Sequence, residues 1–165
     1  MLRAGGFKPY SRLVRLARPA KPEAAPVENG VIYAGREDAG AVQALIESAF
    51  DRYADQLPTG YELEAAATAR QILAVRDAGE LAALLYFETQ GFTSTVRYWV
   101  VAEKYREKRY GSALIRHYFS SEKSVRRFVL WVTANNENAV QKYQHYGYSP
   151  DGLVDHVLIN DMIRA

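Results

Sequence analysis

RYWVVAEKYREKRYGSALI, residues 97–115, decides how this chain folds. It opens as an apolar strand that ends at Val101, passes through a charged loop, and turns helical near Gly111. The first N–H groups of a helix have no partner inside it, and the aligned peptide dipoles add partial positive charge. An anion is stabilised at such a place. Arg106, Lys108 and Arg109 add whole charges to the same loop. A loop that wraps its backbone around phosphate usually carries more than one glycine, and this loop has only Gly111. Alone, the stretch reads either as an anion site or as a basic turn ahead of a helix.

Downstream, RRFVLWVTA (126–134) contains the unbroken apolar run FVLWV, the pattern of a central strand covered on both faces. NNENAVQKYQHYGY (135–148) reads as a helix that starts in an Asn-rich cap and stops at Gly147. Asn136 and Tyr143 lie about two helical turns apart and share a face with Ala139 and Val140. That face is either a narrow slot or a helix cap plus a core tyrosine. LVDHVLIN (153–160) is a last strand.

Upstream, ILAVRD, ELAALLYFET and FTSTVRYWVV are joined by Ala78-Gly79 and Gln90-Gly91, so residues 72–101 read as an antiparallel meander. If Gln90-Gly91 forms a two-residue loop, Tyr86, Glu88, Thr95, Arg97 and Trp99 share one face. Leu85, Phe87, Val96, Tyr98 and Val100 then form the core face. Before the meander, VIYAG (31–35) is a short strand, followed by a helix from Glu37 that fades by Tyr53 and another over Glu62–Arg70. The order β-α-α-β-β-β-α-β-α-β predicts an α/β sheet with helices on both faces.

Taken together, the two segments resemble the GCN5-related N-acetyltransferase (GNAT) family. VAEKYREKRYG (101–111) is similar to that family's V-x-P-x-Y-R-G-K-G-x-G pattern at Val101, Tyr105, Arg106, Lys108 and Gly111. Asn136, Ala139, Tyr143, Gly147 and Tyr148 fall in register with N-x-x-A-x-x-x-Y-x-x-x-G-F. The resemblance implies a mixed, mostly antiparallel central sheet in which the two motif strands run parallel and splay apart. It implies acyl transfer from acetyl-CoA, or another acyl-CoA, to a primary amine by direct attack on the thioester. The pantetheine arm would pair with the backbone at Val100 and Val101. Loop N–H groups around Arg106, Lys108, Arg109, Tyr110, Gly111 and Ser112 would hold the pyrophosphate. Asn136 and Ala139 would line the pantetheine, and Tyr143 would be the general acid for the departing sulfur.

No motif identifies the base that frees the amine. Glu88 is the candidate, with Arg97 and Trp99 as acceptor contacts; the bland alternative is a Glu88–Arg97 pair that satisfies itself. The loop DRYADQLPTGYEL (51–63) offers Tyr53, Asp55 and Tyr61 to a polar or cationic amine. The chain departs from the family pattern where Glu107 and Arg109 replace glycines and Glu103 replaces proline. Arg109 is the position that puts the donor in doubt, because a side chain there restricts the backbone. An acidic acyl-carrier protein, which presents the same pantetheine arm on one phosphate, is the alternative donor. A non-catalytic acyl-CoA-binding or interaction module is the alternative of another class.

Composition narrows the rest. The chain has 165 residues, 48% apolar and 24% charged, which suits one globular domain. It has no cysteine, and its three histidines are scattered, so neither thiolate chemistry nor a metal site is expected. No apolar run reaches membrane-spanning length. Residues 1–22 hold six bases and no acid, whereas the remainder has 15 bases against 19 acids. Basicity therefore belongs to one segment and not to a domain face, which argues against nucleic acid as a partner. Residues 1–30 read as a basic tail with a Pro/Ala linker, and 31–165 as a single acyltransferase domain. The tail reads as a mobile extension, an organelle transit peptide, or a docking arm for an acidic partner. The compartment expected is the cytoplasm, or an organelle matrix if the tail is a transit peptide.

Overall fold

The computed structural model describes residues 6–25 and 30–160. Residues 1–5 of the expected tail, 26–29 of the linker and 161–165 lie outside them. Strands are β1 (Phe7–Pro19), β2 (Val31–Tyr33), β3 (Ile72–Asp77), β4 (Glu80–Gln90), β5 (Thr93–Val101), β6 (Arg127–Thr133) and β7 (Ser149–Asn160). Helices are α1 (Ala39–Ala49), α2 (Gly60–Thr68), α3 (Tyr110–Ser121) and α4 (Glu137–His145). The strands form one sheet in the order β2-β3-β4-β5-β6-β1-β7, antiparallel except for the parallel β5–β6 pair. From residue 31 onward the element order is the one the sequence predicts.

Two apolar layers cover the sheet. Val42, Ile46, Leu63, Ala66 and Ala67 of α1 and α2 pack on Ile72, Ala74, Leu84, Tyr86, Tyr98 and Val100. On the other face Leu114, Ile115, Tyr118 and Phe119 of α3 pack on Leu73, Leu85, Phe87, Phe128 and Leu130. Helix α2 begins with a reciprocal cap, in which Thr59 accepts from the Glu62 N–H and the Glu62 carboxylate accepts from Thr59 N–H. Such a pair satisfies two donors the helix leaves open.

The basic segment corrects the sequence reading. Phe7–Pro19 is not the mobile extension the sequence suggests. It is a strand inserted between β6 and β7, paired from Leu13 to Pro19 with β6 and from Phe7 to Ala17 with β7. Leu16 is fully buried opposite Leu130, and Val14 packs beside it opposite Val132. The bases that suggested a tail are partly neutralised in place. Arg15 and Arg127 both hold Asp151, at 2.7 Å and 2.6 Å. Arg18, buried to 3% exposure, stacks 3.6 Å over the Phe119 ring and pairs with Glu23. The boundary expected at residue 30 therefore does not divide a tail from the sheet. The spacing of Tyr10, Leu13, Val14 and Ala17 suggested a helical side. Alternation wins because Val14 and Leu16 need the α3 face while Leu13 and Arg15 take the other.

The Asp151 cluster ties β7, β1 and β6 together. Hydrogen bonding to Arg15 is the main cause that holds this carboxyl below its ordinary value of 3.8. Its stabilising contribution is complete above that value and is lost as pH falls through the lowered one. Asp151→Asn is expected to lower the melting temperature at neutral pH and to flatten its decline below about pH 4, read by thermal denaturation across pH.

Candidate active site

Strands β5 and β6 run side by side only from Thr93/Arg127 to Val96/Leu130. Beyond that point β5 stays with β4 through Val101, and β6 stays with β1 through Thr133. The inner backbone edge of residues 97–101 is therefore without a strand partner, while its outer edge remains paired. The parting begins at an irregularity. Tyr86 faces Tyr98 and Phe87 faces Val96, so Arg97 is an extra residue in β5. Such a bulge bends the strand and re-aims the side chains beyond it.

The bulge also corrects the face assignment. The hairpin loop is Gly91-Phe92, because Gln90 pairs with Thr93. With Arg97 inserted, Tyr98 and Val100 join Tyr86 on the α1–α2 face, and Trp99 joins Phe87 and Val96 on the α3 face. Trp99 is thus not beside Glu88 and Arg97. Its indole lies under α3 and α4, 5.7 Å from the Tyr143 ring and 5.5 Å from Tyr146. The Lys142 ammonium sits 3.8 Å over the indole. A Cβ added to Gly111 would lie 3.2 Å from Val101 Cγ2 and 3.5 Å from Trp99 Nε1. Only glycine lets the start of α3 come this close to β5.

Trp99 Nε1–H is buried and has no hydrogen-bond acceptor. A buried donor without a partner costs about 1–3 kcal/mol. It lies beneath the N-terminus of α3, next to the edge of β5 that has no strand partner.

The basic loop divides into two sets. Lys108 bonds Asp77 at 2.7 Å, Tyr110 donates its hydroxyl proton to the same carboxylate at 2.5 Å, and Lys104 pairs with Glu80. Lys108 and Tyr110, expected at the phosphates, have side chains committed to the end of β3. Arg106 and Arg109 have no acidic partner among the described residues. Lys142, which sequence reading missed, belongs with them. Its pKa is pushed down first by burial and then by the charge of Arg106. The i−1 position to Tyr143 was the available signal, but periodicity points it away from the Asn136–Tyr143 face.

Arg109 adopts the left-handed conformation, φ 60° and ψ 21°, at the junction with α3. It does with a side chain what glycine does at less cost. Arg109→Gly is expected to stabilise the fold by up to about 1 kcal/mol, checked by denaturant titration.

Asn136 caps α4, its Oδ1 accepting from Ala139 N–H at 3.1 Å. The helix-cap reading of this residue holds, and the cap uses only its carbonyl oxygen. Burial pushes the Tyr143 hydroxyl up to about 12, with the charge of Asp55 adding to the shift. The hydroxyl keeps its proton at neutral pH.

On the α1–α2 face a cavity of about 710 Å³ opens at the point where β5 and β6 part. The 51–57 loop forms one wall with Tyr53, Asp55 and Gln56; Glu88 and Arg97 form the floor; Leu13, Trp131, Asp155 and Val157 form the far wall. Tyr98 donates to the Gln56 carbonyl and fixes the loop. Tyr10 of β1 donates to Asp51 and stands edge-on to Tyr53, at 5.9 Å. The inserted strand therefore supplies part of this cavity and braces its loop. Glu88 accepts from Tyr86 at 2.9 Å and from Arg97 at 3.0 Å. Tyr61 is 82% exposed and lies outside this cavity. Among the described residues no cluster of at least three His, Asp or Glu side chains could hold a metal ion, and no helix is long and apolar enough to cross a membrane.

A splayed parallel strand pair, a helix start pressed against one arm, and a tyrosine beside the opening match one family. Residues 40–148 fit the model of the acetyltransferase (GNAT) family. The chain belongs to the GNAT family. Among solved structures, a GNAT-family protein from Novosphingobium aromaticivorans superposes with a TM-score of 0.73 at 18% identity, covering 94% of this chain and 67% of its own. A GNAT protein from Sphaerobacter thermophilus gives 0.68 at 16% identity, over 96% of this chain and 56% of its own. Rv2747 from Mycobacterium tuberculosis, solved in complex with CoA and NLQ, gives 0.58 at 14% identity, over 72% of this chain and 70% of its own. At these identities the likeness shows the fold. No curated protein matches the sequence. The GNAT assignment makes acyl transfer from acyl-CoA the general chemistry of the domain.

Proposed function

We propose that this GNAT domain transfers an acetyl group from acetyl-CoA to a primary amine by direct attack on the thioester. The observation that carries the reading is the unpaired inner edge of β5 from residue 97 to 101 with the orphan Trp99 N–H beside it. An amide-bearing pantetheine arm supplies the acceptors and donors that this edge lacks, as a strand would. Val100 and Val101 give the backbone pairing. The pyrophosphate lies against the N–H groups from Gly111 and Ser112, with Arg106, Arg109 and Lys142 contributing charge. Asn136 and Ala139 line the arm.

The amine enters from the cavity on the opposite face. Its lone pair attacks the thioester carbonyl, the C–S bond breaks, and Tyr143 gives its proton to the leaving sulfur. Much of the acceleration comes from holding amine and thioester together. The acidic carrier protein as donor rested on Arg109 in place of a glycine, with the basic tail as added support. Arg109 takes the left-handed conformation a glycine would, and Phe7–Pro19 is β1, which together favour the CoA donor. A pure binding module has no use for a protonated tyrosine at the opening.

The test is a thermal shift with acetyl-CoA together with thiol release in the presence of primary amines. Stabilisation by acetyl-CoA and amine-dependent thiol release are expected. Stabilisation without release from any amine overturns catalysis, and no stabilisation overturns the CoA donor. Arg109→Gly, which relaxes the backbone, is expected to weaken CoA binding several-fold while raising stability, because it removes a charge from the phosphates.

A further inference from the structure

The cavity on the α1–α2 face holds carboxyl and aromatic groups that the donor site does not use. Asp55 is the one that stands out. Its Oδ2 accepts only from the backbone N–H of Asp51, at 3.0 Å, and it has no ion-pair partner among the described residues. Every other acid near it differs. Glu88 has both oxygens engaged, by Tyr86 and by Arg97. Asp51 receives the Tyr10 hydroxyl. Asp155, on the far wall, also has no side-chain partner among the described residues, but it is exposed, whereas Asp55 is half-buried.

We propose that Asp55 receives the ammonium of the acceptor and takes its proton, while the amine's apolar body lies along Leu13, Trp131 and Val157. The proposal rests on the acyltransferase reading above. It replaces Glu88, whose carboxylate is fixed by two donors, as the base.

Three observations converge. The carboxyl lies in the loop that walls the cavity at the parting of β5 and β6. Its charge adds to the upward shift of the Tyr143 hydroxyl, the group that protonates the leaving sulfur in this reading. Trp131 is 40% exposed and lines the cavity; Arg15 stands opposite it in β1 but is held by Asp151, and no ring or cation stacks on the indole among the described residues. An amine with an apolar body covers such a ring and meets the carboxylate with its charged end.

The groups facing Asp55 set its titration. Burial raises its pKa first, and the neighbouring Asp51 charge raises it further, while the Asp51 N–H bond opposes both. Arg52 lies on the same loop, Arg97 is neutralised by Glu88 on the sheet, and Tyr98 and Tyr143 carry no charge at neutral pH. A raised carboxyl is a better base than an ordinary one.

The proton balance is simple. The ammonium loses one proton to Asp55, which passes it to solvent. The neutral nitrogen attacks the carbonyl and the C–S bond breaks. Tyr143 protonates the sulfur, and the second surplus proton on nitrogen restores Tyr143. The products are the amide, the free thiol and one released proton.

The probe is 2-phenylethylamine, with 2-phenylethanol as its neutral counterpart, titrated into the full chain by calorimetry at pH 7. The wild type is expected to bind the amine about tenfold more tightly than the alcohol, and Asp55→Asn to bind both alike. Trp131→Ala weakens both. With acetyl-CoA present, kcat for the amine falls as pH drops through the Asp55 pKa, and Asp55→Asn abolishes that limb while Glu88→Gln keeps it. Equal binding of amine and alcohol by the wild type, binding of neither, or a preference that survives Asp55→Asn overturns the proposal. If Asp55→Asn does not fold, carbon-detected NMR titration of the wild-type Asp55 carboxyl decides: added amine must lower its pKa, and an unchanged value overturns the proposal. Acetyl-CoA binding measured in parallel keeps the two readings apart. Its loss in the wild type defeats the acetyltransferase reading, whereas its presence with no amine preference defeats only the role of Asp55.

Discussion

Removal of residues 1–19 abolishes the folded state, and the point change Leu16→Ala lowers stability by about 3 kcal/mol. Circular dichroism and denaturant titration read both. The expectation follows from the place of β1. It is hydrogen-bonded on both sides, to β6 and to β7, so its loss strips the ladder from two strands at once. Both flanking edges lose their ladder partners along most of their length, and the apolar groups that β1 covers are exposed to water. Leu16 is wholly enclosed and touches the same apolar layer as Leu114, Phe128 and Leu130. A cavity in that layer adds to the lost transfer energy. A truncated chain that stays folded, with an unshifted transition, means that β1 is dispensable and that the basic segment is an appendage after all. Loss of β1 also removes Leu13 from the wall of the cavity on the α1–α2 face and the Tyr10 contacts that brace its loop, so amine binding is expected to fail with the fold.

Tyr143→Phe lowers kcat by about a hundredfold and leaves the affinity for acetyl-CoA unchanged. Thiol-release kinetics and calorimetry measure the two quantities. The substitution keeps the ring that packs against Trp99 and Tyr148, so the fold is not disturbed. Only the hydroxyl is lost, and that group has no hydrogen-bond partner among the described residues. The loss belongs in kcat because the proton moves only as the C–S bond breaks. An unchanged kcat removes Tyr143 from the reaction and leaves water as the proton source. The pushed-up hydroxyl secures the protonated form at neutral pH, but it also makes a weaker acid. Its value therefore lies in position more than in acidity.

The core of the fold was legible because local chemistry and periodicity agree over residues 31–160. Alternating strands, turn glycines, the run FVLWV and the Asn-rich cap each point to one element, and the order of elements then points to one topology. The pairing of Gly111 with Asn136 and Tyr143 was legible as well, since the spacing of a helix start and a helix face is written along the chain. Two things were not. The segment RLVRLAR looks like a charged tail because its arginines dominate the composition. Whether an arginine faces water or a carboxylate more than a hundred positions away is not a local property, and Arg15 meets Asp151. The face of Trp99 was hidden for another reason. A period of two carries no mark where one residue is inserted, and the Arg97 bulge reverses every assignment after it.

The sequence by itself determined the strand–loop–helix that starts at Val101, the two-turn spacing of Asn136 and Tyr143, and the GNAT likeness that their conjunction carries. Tertiary structure alone decided which bases near the loop are paired, since Lys108 is bound to Asp77 while Arg106, Arg109 and Lys142 have no acidic partner among the described residues. It also decided that both oxygens of Glu88 are engaged by side-chain donors while Asp55 accepts only a backbone N–H, and that the first strand walls the cavity on the α1–α2 face. Helical and strand periods are set by backbone geometry within a few residues, so they can be read along the chain. Ion pairing, burial and the choice of face depend on which distant residues arrive alongside, and only the folded chain brings them together.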